Sequence, residues 1–196
     1  MLHDIIHTIL EEINNSIFKV DKNQIIDFIK LLDNSDRLYL RGKGRSALVS
    51  KQFAMRLLHL DYSVFIVGSV TAPPVKEGDL VIFISGSGSL ISNSVILDKC
   101  NELNATTCCF TSNPDSYLGS NCDLTITVFA GDKMSDKGFD YSKRQIEGKS
   151  CSNNNLPLGT LFELTVSVLF DAIIAKLMIL KNETEKNMKK RHFNLE

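Results

Sequence analysis

Leu80-Val81-Ile82-Phe83-Ile84 is a run of five apolar side chains with no polar residue between them. A strand with one face in water alternates apolar and polar residues, so this run predicts a strand covered on both faces. Strands of that kind belong to parallel sheets, whose crossover connections lay helices on either side. Other short apolar runs predict further strands at 38–40, 64–67, 106–111 and 124–129, and helical spacing fills 46–60 and 91–103 between them. Two amphipathic helices come first. One carries Leu2, Ile5, Ile6, Ile9, Leu10, Ile13 and Ile17 on one face; the other is capped by Asp21 and carries Ile25, Ile26, Ile29 and Leu32. The expected architecture is therefore an α/β three-layer sandwich with a five-stranded parallel sheet, preceded by two N-terminal helices.

Size and charge narrow the function. The 196 residues favour one domain, taken here as 1–196: helices to 36, sheet core over 37–130, a polar loop over 131–156, and a C-terminal helix and tail over 157–196. Lys and Arg number 22 against 23 Asp and Glu, so no global field grips a phosphate backbone and no nucleic acid is expected. Five cysteines (Cys100, Cys108, Cys109, Cys122, Cys151) lack C-x-x-C or zinc spacing, which fits reduced core thiols and no metal. The N-terminus Met1-Leu2-His3-Asp4 shows no apolar export run, and the most apolar stretch, 164–180, is interrupted by Asp171 and Lys176. A cytoplasmic protein without a membrane span is the expectation.

In open parallel sheets, ligands bind beyond the carboxyl ends of the strands. Two turns there are built from small residues. Arg41-Gly42-Lys43-Gly44-Arg45-Ser46-Ala47 satisfies G-x-G-x-x-A, but the strand that follows ends Ile66-Val67-Gly68-Ser69 with no acid for a ribose, which argues against a dinucleotide. Ser85-Gly86-Ser87-Gly88-Ser89 precedes a helix and offers hydroxyls, backbone N–H groups and a positive dipole end to one anion. It lacks the lysine of a nucleotide-triphosphate loop, so a phosphomonoester suits it. Glu163 interrupts the apolar C-terminal helix, with Thr160 and Ser167 on its face. A carboxyl removed from water has its pKa raised and can move protons near neutrality; pairing with an Arg is the structural alternative. His3 and His7 read as surface residues, His59 as structural, and His192 lies in a basic tail.

In order, Gly42–Ser46 with Phe53-Ala54-Met55-Arg56-Leu57, Ser85–Gly88, Thr111-Ser112-Asn113-Pro114-Asp115-Ser116, Pro157-Leu158-Gly159-Thr160-Leu161-Phe162-Glu163 and Arg191-His192-x-Asn194-Leu195-Glu196 resemble the 6-phospho-3-hexuloisomerase family of sugar isomerase (SIS) domains. Asp140-Tyr141, Arg144-Gln145 and Gly148 fit as well. The resemblance implies a flavodoxin-like homotetramer that interconverts 3-hexulose 6-phosphate and fructose 6-phosphate without cofactor or metal. By motif, Glu163 matches the proposed catalytic glutamate and His192 the tail histidine, supplied by a neighbouring subunit by analogy. Gly44, Arg45 and Ser46, with Ser85, Gly86, Ser87, Gly88 and Ser89, would hold the phosphorylated ketohexose. Departures are Leu90 in place of a loop threonine, Ser89 in place of an acid, Lys43 in place of a small residue, and Gly68-Ser69-Val70-Thr71-Ala72-Pro73 in place of Gly-Glu-Thr-Thr-Thr-Pro. A hydroxyl donor lost from a phosphate costs about 1.5–3 kcal/mol unless replaced, and Ser89 and Lys43 are the candidates. A second reading keeps the fold as a non-catalytic sugar-phosphate sensor acting on a protein partner.

Overall fold

The computed structural model describes residues 1–130, 156–157 and 159–195. Two helices open it, α1 (Leu2–Lys19) and α2 (Lys22–Asn34), the second capped as expected by Asp21, whose carboxylate accepts from Asn23 N–H at 2.8 Å. Then follow β1 (Leu38–Gly42), α3 (Arg45–His59), β2 (Val64–Ile66), β3 (Leu80–Ile84), α4 (Ile91–Glu102), β4 (Thr106–Thr111), α5 (Tyr117–Asn121) and β5 (Leu124–Thr127). Helices α6 (Thr160–Leu180) and α7 (Glu185–Lys189) close the described chain.

All strand pairings are parallel, in the order β2-β1-β3-β4-β5. This doubly wound order reverses direction between β1 and β3, and the crevice above that reversal is where ligands bind. Every residue of β3 is fully buried, as a central strand covered on both faces must be. Leu38, Leu40, Leu80, Ile82, Ile84 and Phe110 pack on one face with α2, α3 and α6; Tyr39, Val81, Phe83 and Cys109 pack on the other with α4 and α5.

Four aromatic rings fix α3 against α6. Phe53 of α3 stacks on Phe170 of α6 with centroids 3.9 Å apart, while Phe110 of β4 meets Phe170 edge-on at 4.9 Å and Phe28 of α2 at 5.0 Å. The two helices are thereby held in one register.

Some boundaries differ from the sequence expectation. Helix α6 starts at Thr160, so Pro157 lies outside it; Gly159 takes the position before the helix in a left-handed conformation, φ +84°. The five-residue α5, capped by Ser116, carries no apolar period long enough to signal it. Strand β2 stops at Ile66 and the chain turns at Gly68, φ +91°. The 131–155 portion of the polar loop, with Asp140, Tyr141, Arg144, Gln145 and Gly148, lies outside the described residues.

Cys100, Cys108, Cys109 and Cys122 are free thiols, and burial pushes the Cys108 thiol well above its usual range. No helix among the described residues is long and apolar enough to cross a membrane. No group of His, Cys, Asp and Glu among them is placed to hold a metal ion.

Candidate active site

Strands β1 and β3 are hydrogen-bonded neighbours, with Gly42 opposite Ile84. Beyond them the chain leaves in opposite directions, into α3 on one face and α4 on the other. The two small-residue turns therefore stand side by side over the topological reversal.

The turn into α3 is tight because Gly42 allows it. A Cβ there would lie 2.5 Å from the Ser46 backbone, so the first turn of α3 passes directly over the strand end. That puts Ser46 inside, 7% exposed, and leaves Arg45 half in solvent.

Opposite it, the start of α6 delivers Glu163. Its N–H donates to Gly159 O at 3.0 Å, the first helical bond, and its carboxylate lies against the Gly159 α-carbon. A Cβ at Gly159 would stand 2.6 Å from Glu163 Oε2. Ser46 Oγ donates to Glu163 Oε1 at 3.2 Å, and Arg45 Nε lies 3.7 Å from Oε2. Oε2 itself is buried and accepts no hydrogen bond among the described residues. A buried carboxylate oxygen without a donor is costly. Burial is the largest influence on this carboxyl and raises its pKa above the ordinary value; Arg45 and the Ser46 hydroxyl favour the charged form and pull it partly back. The sequence left open whether Glu163 pairs with an arginine or moves protons. The structure shows an arginine 3.7 Å from Oε2 and no hydrogen bond to that oxygen among the described residues.

The 85–89 turn is braced from β4. Gly88 N–H donates to Ser85 O at 3.0 Å and lies 3.2 Å from Ser85 Oγ; Ser112 N–H donates to Gly86 O at 3.0 Å; Leu118 N–H donates to Gly88 O at 3.1 Å. Gly88 needs its φ of +64° here, and a Cβ on it would fall 1.9 Å from Ser116 Oγ. Ser85 and Ser87 are buried, and Ser89 is exposed with its N–H turned to Ser87 Oγ at 3.4 Å. The N–H groups of Gly86, Ser87, Leu90, Ile91 and Ser92 donate to no acceptor among the described residues. Free N–H groups at the start of a twelve-residue helix suit an anion.

The sequence and the fold agree with known proteins. The model of the SIS domain family matches residues 31–139. The 3-hexulose-6-phosphate isomerase of Bacillus subtilis is 35% identical over 188 residues, covering 96% of this chain and 95% of that protein. The chain belongs to the 6-phospho-3-hexuloisomerase family of SIS domains. A second relative of the same name, from Methylomonas aminofaciens, is 33% identical with 96% of each chain covered. The solved structure of a Methanococcus jannaschii protein, described as inferring a molecular function of 3-hexulose-6-phosphate isomerase, superposes with a TM-score of 0.76 at 29% identity, covering 95% of this chain and 98% of that one.

Of the residues singled out in this SIS domain, the structure brings Arg45 and Ser46 against Glu163, with Gly44 directly before Arg45 at the start of α3. It sets Ser85, Gly86, Ser87, Gly88 and Ser89 on the neighbouring strand end. His192 stands apart. Its ring stacks on His59 with centroids 3.8 Å apart, at the far end of α3. Thirteen residues of helix separate His59 from Ser46, about 20 Å at the α-helical rise. Arg191 anchors the tail there through His59 O and Glu183 Oε2, both at 3.0 Å.

Lys43 is exposed. Two polar residues near the 85–89 turn had no role assigned from sequence, Arg41 at the end of β1, named only as the start of its turn, and Asn93 in the first turn of α4. They lie 52 positions apart, and Arg41 Nε donates to Asn93 Oδ1 at 3.2 Å. An arginine at a strand terminus and an amide inside a helix were their only local signals.

Proposed function

We propose that this chain interconverts 3-hexulose 6-phosphate and fructose 6-phosphate through a cis-enediol. The observation that carries the reading is Glu163: a buried carboxyl with one oxygen that accepts no hydrogen bond among the described residues, tied through the other to the serine of a turn that borders the hydroxyl-rich 85–89 turn. The phosphate docks on the N–H groups and hydroxyls of the 85–89 turn with Ser46 beside it, and the open-chain sugar extends toward Glu163.

Glu163 takes the proton from C2, next to the C3 carbonyl. The C–H electron pair becomes the C2–C3 double bond, and the carbonyl oxygen takes up a proton to give the enediol. Return of the proton from Glu163 to C3, with loss of the proton from the C2 hydroxyl, yields the C2 ketone. A base that must hold the proton between these steps works best with a raised pKa, and burial supplies that. Arg45, 3.7 Å from the carboxylate, is placed to stabilise negative charge on the enediolate oxygens. The steps as written call on no cofactor or metal.

His192 joins this chemistry only from a second copy, because within one chain it sits about 20 Å away along α3. We accordingly propose a homotetramer in which one subunit's tail completes another's site. Leu2, Ile5, Ile6 and Leu10 of α1 and Ile179 and Leu180 of α6 are apolar and exposed, which supports burial between subunits. The same proposal places the enzyme in the cytoplasm, in the ribulose monophosphate pathway, as one SIS domain over its length, without nucleic-acid or membrane partners. The test is to supply 3-hexulose 6-phosphate to the purified chain and follow fructose 6-phosphate by a coupled assay. Product formation supports an isomerase; tight binding without product supports a sensor and refutes the catalytic reading.

A further inference from the structure

Arg41 lies on the face of β1 that looks toward α4, as Tyr39 does, and it pairs with Phe83 in the sheet register. Ser85 follows Phe83 by two residues on the same face. From the strand spacing and rise, the Arg41 and Ser85 backbones are about 8 Å apart; the guanidinium lies between Asn93, which accepts from Nε, and Gly68 beyond β2, where an added Cβ would stand 4.0 Å from Nη1. The guanidinium is half buried, and burial is what lowers its pKa. It has no carboxylate within ion-pair distance among the described residues. Its one hydrogen bond there is from Nε to Asn93 Oδ1.

Asn93 supplies an independent observation. It is fully buried, its carboxamide faces Arg41, and its Nδ2 has no partner among the described residues. A buried amide donor without an acceptor is unfavourable unless something fills the gap. The free N–H groups of Leu90, Ile91 and Ser92 lie within one helical turn of it. Leu90 brings no hydroxyl to this helix start. A half-buried cation without a counter-charge, an orphaned amide donor and bare helix N–H groups thus converge on one corner.

We propose that Arg41 and Asn93 form the charged half of the phosphate site, with Arg41 contacting the phosphomonoester dianion of the substrate and Asn93 orienting the guanidinium while donating from Nδ2. The proposal deepens the isomerase reading and rests on it for the identity of the sugar, but not for the anion. Losing a charge-assisted donor weakens phosphate binding by about 10- to 100-fold.

The experiment measures KM and kcat with 3-hexulose 6-phosphate, and binding of inorganic phosphate and of fructose 6-phosphate by calorimetry, for wild type, Arg41→Gln, Arg41→Lys and Asn93→Asp, each with a melting curve. Arg41→Gln is expected to raise KM and both dissociation constants about 10- to 100-fold with kcat within about threefold, and Arg41→Lys to recover part of the loss. Asn93→Asp guards against misfolding. It gives Arg41 an internal carboxylate, so it should melt at or above wild type and yet bind phosphate at least about tenfold more weakly. Unchanged phosphate affinity in either folded variant overturns the proposal, as does a wild type that binds neither probe. A wild type that shows no turnover but whose phosphate binding falls in both variants retains the anion site and refutes the isomerase; normal turnover with unaffected binding refutes the anion site alone.

Discussion

Replacing Gly88 by Ala tests whether the 85–89 turn is held by close packing between the two central turns. The new Cβ would stand 1.9 Å from Ser116 Oγ, 2.7 Å from Ser116 Cβ and 3.0 Å from Thr111 Oγ1, so the turn or the β4 end must move. At φ +64° an alanine adds left-handed strain of about 1–2 kcal/mol, and an overpacked contact adds about 1–3 kcal/mol. The sum is about 2–5 kcal/mol, which for a chain of this length lowers Tm by about 5–15 °C. Because Gly88 N–H also bonds Ser85, the displaced turn should raise KM for the phosphosugar. Ser116→Gly removes the obstruction and by itself loses only a helix cap, a few tenths of a kcal/mol. The double variant Gly88→Ala/Ser116→Gly should therefore regain the overlap part, about 1–3 kcal/mol, and keep only the strain. The cycle is read by chemical denaturation and by thermal melts. Two additive single effects, or a Gly88→Ala protein that melts with wild type, would refute the packing argument.

Three further outcomes follow from the same geometry. Glu163→Gln should lower kcat by about 10²–10⁴ while phosphosugar binding is retained, measured by steady-state kinetics and calorimetry. Its stability also carries a sign: with the native carboxyl pKa raised, the folded wild type binds the extra proton, so wild-type stability declines as pH rises from the ordinary carboxyl value of 4.5 to the raised one. The Tm difference between Glu163→Gln and wild type should thus move in the variant's favour between pH 4 and pH 7; a gap that does not change would contradict the burial argument. Ser46→Ala removes a donor to the charged carboxylate, so the acid limb of the kcat/KM profile should shift to higher pH, and a shift the other way would show that the hydrogen bond does not favour the ionised form. Phe170→Ala empties the ring stack between α3 and α6 and should cost about 3–5 kcal/mol in denaturant titration, whereas a loss under 1 kcal/mol would mean the stack is not a close-packed core.

The centre of the sheet was legible because burial on both faces leaves β3 an unbroken apolar run. The limits of β3 and β4 coincide with the runs at Leu80–Ile84 and Thr106–Thr111, and the Asp21 cap is local chemistry that acts within two residues. The start of α6 was not legible in the same way. Pro157 and Gly159 each suit a helix entrance, and in the structure Gly159 takes it, left-handed at φ +84° and accepting the first helical bond from Glu163 N–H. Glu163 could be singled out as a lone acid in an apolar helix, but its tie to Ser46 joins residues 117 positions apart and arises only from the packing of α3 on α6. Arg41 and Asn93 stayed hidden for the same reason, since each is unremarkable until β1 and α4 meet. The separation of His192 from the cluster reflects α3 itself: one helix carries Ser46 at one end and His59 at the other.

Solvent exchange tests the central chemical claim most directly. Fructose 6-phosphate is incubated with the enzyme in D₂O, and the C3 proton is followed by NMR. Proton transfer through Glu163 predicts that wild type replaces the C3 proton with deuterium and that Glu163→Gln leaves it in place. Exchange at C3 that continues at the wild-type rate in Glu163→Gln would contradict the account.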